Sequence, residues 1–95
     1  MNVADARGYA DDLTDPQRAV VLIATAEKPS RFDTIARGSG YEQSDISQAI
    51  EQLLSMNLIE KEQSRLAGKF FYNYVLLNDR GVQVQAILRD REDAK

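Results

Sequence analysis

Between Ser44 and Gly81 the chain changes its hydrophobic period twice. Ile46, Ala49, Ile50, Leu53 and Leu54 recur every three or four residues, which places them on one face of a helix. The pattern stops at Met56-Asn57-Leu58-Ile59-Glu60-Lys61, where Asn57 suits the left-handed cap that ends many helices. Two strand-like runs follow, Leu58 to Leu66 and Phe70 to Leu77. The second is rich in aromatic and branched residues. Ala67-Gly68-Lys69 reads as the turn between them, with Gly68 as the permissive residue. Leu77-Asn78-Asp79-Arg80-Gly81 then opens another helix, with Asn78 as its cap. A helix, a hairpin and a helix in unbroken succession leave the hairpin one way to bury an apolar face, which is against the helices on either side of it.

The residues upstream supply those helices. Asp15-Pro16 is a helix start, because Asp accepts the free N–H groups of the first turn and Pro suits the first helical position. The spacing predicts a helix to about Glu27, with Ala19, Leu22, Ile23 and Ala26 on one face and Val20 and Val21 widening it. Lys28-Pro29 stops it. Ser30 with Asp33 has the spacing of a capping box, so Ser30 is expected to open a short helix carrying Phe32, Ile35 and Ala36. Gly38-Ser39-Gly40 ends that helix. The next lies within Tyr41 to Met56, with Ser44 the better cap and a start at Tyr41 or Glu42 the alternative. Val82, Val84, Ile87 and Leu88 are the apolar positions of the last helix. Residues 1–14 are acidic and lack firm periodicity. They are expected to form an arm, mobile or loosely helical, with Val3, Tyr9 and Leu13 available to pack on a dimer partner, ahead of one domain over 15–95.

Composition removes most chemistry. The 95 residues include no Cys and no His, which excludes disulfides, Cys/His zinc sites and His-containing triads. The carboxylates are scattered without metal-ligand spacing, and Gly38-Ser39-Gly40 is too short for a phosphate loop. The expectation is therefore no enzyme, no cofactor and no metal. No apolar run reaches the length of a membrane span, and the N-terminus lacks a signal pattern, so a cytoplasmic protein is expected. Lys and Arg total 12 against 15 Asp and Glu, a net charge of −3. The excess acid lies at the two ends, in Asp5, Asp11, Asp12 and Asp15 and in Asp90, Glu92 and Asp93, and the middle is nearly balanced.

Helix, short helix, turn, helix, hairpin, helix is the order of a winged helix-turn-helix. The fold class expected is α+β, with a three-helix core, a two- or three-stranded antiparallel wing and a C-terminal helix. Two segments sharpen this. Ile46-Ser47-Gln48-Ala49-Ile50-Glu51-Gln52-Leu53 leading into Met56-Asn57-Leu58-Ile59-Glu60-Lys61 resembles the recognition helix and "GLIEK"-like exit of winged helix regulators of the MarR and PadR types, with Asn57 in place of the usual Gly. Leu77-Asn78-Asp79-Arg80-Gly81 resembles their "LTxxG" entry to the helix after the wing. The resemblance covers roughly Asp15 to Asp90. It implies a transcription regulator that binds double-stranded DNA as a homodimer, with the helix at Ser44 to Met56 in the major groove and the hairpin tip on the neighbouring backbone or minor groove.

Under that reading, phosphates fall to Arg31 and Arg37, which flank the short helix, and to Arg65 and Lys69, which flank the hairpin tip. Base readout falls to Ser47, Gln48 and Gln52. Tyr72, Tyr74, Ile87 and Leu88 are the candidates for a dimer interface. Each has a plainer reading. The cations are ordinary surface charges, the polar helix residues a solvated face, and the apolar ones core. No residue from Tyr41 to Met56 is basic, while Glu42, Asp45 and Glu51 are acidic. Asp45 and Glu51 are able to accept from cytosine, though capping or solvation is the simpler role. That acidity supports the rival expectation, a winged helix that contacts protein and not DNA. No effector is legible.

Overall fold

A computed structural model describes residues 3–66 and 70–94, and side chains at 4–62 and 74–94. The elements are α1 (Val3–Asp12), α2 (Asp15–Ile23), β1 (Ser30–Arg31), α3 (Phe32–Ser39), α4 (Gln43–Ser55), β2 (Ile59–Leu66), β3 (Phe70–Leu77) and α5 (Asp79–Asp93). The three strands form one antiparallel sheet in the order β1-β3-β2. β2 and β3 pair from Ile59 opposite Leu77 to Leu66 opposite Phe70. Residues 67–69, read above as the turn, lie outside the described residues. The α+β class and the winged element order are those expected.

The core lies where α2, α3, α4 and α5 meet the inner face of the sheet. Val20, Val21, Ile35, Ile46, Leu53, Leu58, Val75, Leu77 and Val84 are all fully buried there. Val75 and Leu77 alternate inward along β3, while Tyr74 before them and Leu76 between them are half-buried. That is the two-residue period of a strand with one covered face.

The stretch expected to be an arm is, over Val3–Asp12, a helix. Ala6 and Ala10, one turn apart, are buried in the common core together with Leu13. Arg91 of α5 pairs with Asp11 at 2.7 Å. Two alanines bring a helix close without a conspicuous apolar stripe, which is why the pattern looked merely polar.

Other boundaries also differ from expectation. α2 is capped by Thr14, not Asp15. Thr14 Oγ1 accepts from the Gln17 backbone N–H, and Gln17 Oε1 accepts from the Thr14 N–H, a complete capping box. The helix ends at Ile23 instead of near Glu27. Gln85 of α5 donates to the carbonyls of Val21 and Ala24 at 2.8 and 2.7 Å. The Thr25 carbonyl accepts from Leu77 N–H, so tertiary partners take the groups that another helical turn would need. Ala26 is consequently exposed. Ser30 does not cap α3. It is extended and pairs with Val75 as part of β1, and Arg31 takes the cap position. α4 starts at Gln43 with Glu42 at the cap, ahead of Ser44.

The two segments singled out in the sequence touch each other. Asn57 adopts φ 59°, the left-handed cap expected of it. Asn78 caps α5 by accepting from Gly81 N–H at 2.9 Å, and its Nδ2 donates to the Asn57 carbonyl at 2.7 Å. Asn78 N–H donates to the Leu58 carbonyl. A Cβ built on Gly81 would stand 2.1 Å from that same carbonyl oxygen. Glycine is required here by close approach to the exit of α4.

Candidate nucleic-acid interface

α4 buries Ile46, Ala49, Ile50 and Leu53. Helical geometry then sets Ser44, Gln48, Glu51 and Ser55, spaced three or four apart, on the opposite side. All four are exposed. Ser47 sits on one flank, where it lines a cleft with Phe32, Ile50, Glu51, Lys61 and Val75. Asp45 and Gln52 sit on the other, beside Thr14 and Pro16. Of the three base-reading candidates, therefore, only Gln48 is central to the outward ridge.

Gln52 is committed within the chain. Its Oε1 accepts from Gln17 Nε2 at 2.6 Å. Gln17 is only 6% exposed and is the one buried polar side chain among the described residues. Both ends of its amide are satisfied, by Thr14 on one side and Gln52 on the other. A carboxamide reads adenine by donating and accepting together. With its oxygen held by Gln17, Gln52 serves to fix α4 on α2. Gln17 escaped the sequence reading although Thr14-x-x-Gln17 carries the capping-box spacing, because Asp15-Pro16 offered a competing start.

The cations fall into three groups. Arg31 and Arg37 converge on one carboxylate, Asp33, at 3.4 and 3.8 Å. The trio keeps one net positive charge along α3, from its cap residue to its last turn, and the Arg37 side chain remains 80% exposed. Lys61, at the base of the wing, reaches Glu51 at 3.6 Å. The contact depends on a strand register that spacing alone does not reveal. The side chain of Arg65 and the whole of Lys69 lie outside the described residues, as does the side chain of Tyr72.

Of the remaining dimer candidates, Tyr74 is half-buried on β3 opposite Glu62 and Arg31. Ile87 is half-buried against the core. Leu88 is 4% exposed and belongs to the chain's own core, so packing within the chain already accounts for it. Among the described residues no group of His, Cys, Asp and Glu is arranged to hold a metal ion, and no helix is long and apolar enough to cross a membrane.

Solved structures of similar shape are transcription regulators. The PcaV transcriptional regulator from Streptomyces coelicolor, solved with its natural ligand, superposes with a TM-score of 0.73 at 26% identity, over 88% of this chain and 58% of that one. A MarR family regulator from Silicibacter pomeroyi gives 0.78 at 22% identity, over 97% and 62%. The fold is that of MarR-type winged helix regulators. ZitR from Lactococcus lactis, a zinc-responsive MarR family member, matches with a TM-score of 0.74 at 17% identity, over 87% of this chain and 56% of its own. The chain thus spans little more than half the length of these MarR-type proteins. No protein-family model matches it, and no curated protein is similar enough to match.

Proposed function

We propose that this chain is the DNA-binding unit of a transcription regulator, that it reads duplex sequence, and that it acts in the cytoplasm as a homodimer. One observation carries the reading. The helix that winged helix regulators insert in the major groove is present here with an uncovered polar ridge, directly beside the base of a two-stranded wing. Gln48 and Ser47 contact bases, while Gln52 holds the helix at its angle. Arg31 and Arg37 at α3, with Arg65 and Lys69 at the wing, hold phosphates on either side of the groove. Tyr72, Tyr74 and Ile87 are the residues offered to a second copy. ZitR is described as zinc-responsive, and these 95 residues contain no Cys or His.

Genomic mapping of binding sites tests the proposal. A near-palindromic site bound upstream of transcription units is the expected result. A uniform or absent footprint would refute it. The acidity of the α4 surface, where Glu42 and Asp45 are exposed, supports a second reading as a protein-contact module. In that case Tyr72→Ala or Tyr74→Ala abolishes function, and Arg65→Ala with Lys69→Ala does not.

A further inference from the structure

We propose that Glu51 is a specificity-determining residue that reads a cytosine in the major groove, and that Lys61 positions it. The inference rests on the duplex-binding function proposed above. Glu51 is the only ionised side chain of the outward ridge formed with Ser44, Gln48 and Ser55. A bare carboxylate there would be repelled by the phosphates that the helix must approach. Lys61 removes that obstacle. Its Nζ lies 3.6 Å from Glu51 Oε1, and its side chain is only one-third exposed.

The wing sets this geometry. Lys61 stands opposite Val75 in the β2–β3 ladder, so the two side chains share one face of the sheet, and Val75 is buried. The lysine stem therefore runs along the cleft lined by Phe32, Ile50 and Val75 before its ammonium reaches α4. One carboxylate oxygen is engaged and Oε2 remains. An ionised carboxylate only accepts hydrogen bonds, and its base partner in the major groove is the cytosine N4 amino group. The pair offers an acceptor to the base at no net charge.

Selection of bound sequences from a randomised duplex pool tests this, using the wild-type chain, Glu51→Gln, Lys61→Ala and Lys61→Arg. The wild type enriches cytosine roughly fivefold to tenfold at one position of each half-site. Glu51→Gln moves that position to adenine and leaves the others unchanged. Lys61→Arg keeps the wild-type consensus. Lys61→Ala loses the cytosine preference and weakens binding to all sequences, and adding Glu51→Gln to it restores that binding. If Glu51→Gln keeps the wild-type consensus at every position, the inference fails while DNA recognition stands. Cytosine enrichment that survives Lys61→Ala overturns the role given to Lys61. A wild type that enriches no sequence overturns both the inference and the reading beneath it.

Discussion

Gln17 Nε2 donates to Gln52 Oε1 across 2.6 Å, joining the first turn of α2 to the last turns of α4. Gln17 is buried and Gln52 is exposed, so the two ends of this bond are unequal. Removing Gln52 strands a buried amide, whereas removing Gln17 leaves partners that water can reach. Gln52→Ala is expected to cost about 1–3 kcal/mol. In a Gln17→Leu background the same change should cost less than about 0.5 kcal/mol. Urea unfolding of the four chains in a double-mutant cycle measures the difference.

Gly81 and Gly8 make an opposed pair. A methyl group on Gly81 meets the Leu58 backbone oxygen at 2.1 Å and Leu77 Cδ2 at 3.0 Å. Backbone cannot move aside as a side chain can. Gly81→Ala should cost at least ~3 kcal/mol or prevent folding. Gly8, within α1, has nothing within 4 Å of the added Cβ, and Gly8→Ala should stabilise by about 0.5–1 kcal/mol. Thermal melts followed by circular dichroism separate the two outcomes.

Asn57 carries the left-handed residue that closes α4. Asn57→Gly relieves the conformational cost and keeps the carbonyl that Asn78 holds, so stability should change by less than about 0.5 kcal/mol. Asn57→Val forces a branched side chain into the same region and should cost roughly 1–2 kcal/mol. Equal melting temperatures for the two variants would show that the backbone can avoid this conformation.

What could be read in the sequence was what local chemistry dictates. Asn57 and Asn78 announced their caps, and the aromatic and branched run Phe70 to Leu77 its strand. The glycine of Leu77-Asn78-Asp79-Arg80-Gly81 was visible as part of a motif, but its cause, the Leu58 carbonyl, lies a whole hairpin away in the chain. The misplaced end of α2 had the same origin in part. The Thr25 hydroxyl, bonded to the N–H and carbonyl of Lys28, turns the chain locally just past Ile23, and the long-range groups at that end belong to Gln85 and Leu77. The first residues were open to a loosely helical arm, but their packing into the chain's own core was not legible, because Ala6 and Ala10 bury little apolar surface yet pack closely. The hairpin was expected to pack on the helices beside it, and Lys61 of β2 does reach Glu51 of α4. Gln52 was read for base contact without its partner inside the chain, because Gln17 had not been placed.

The Arg31–Asp33–Arg37 trio bears on phosphate affinity. Asp33 neutralises half of the positive charge that the arginines bring. Asp33→Asn should therefore tighten duplex binding severalfold at low salt, with the gain shrinking as salt rises. Fluorescence anisotropy at two ionic strengths measures it. Weaker binding would mean that Asp33 is needed to aim the two guanidinium groups.

The central claim is that this chain grips duplex DNA through cations at α3 and the wing. Anisotropy titration of a random-sequence duplex between about 50 and 200 mM salt tests it most directly. The account predicts log affinity falling linearly with log salt, with the Arg65→Ala/Lys69→Ala chain showing a slope shallower by about two. No binding at low salt, or an affinity indifferent to salt, would contradict it.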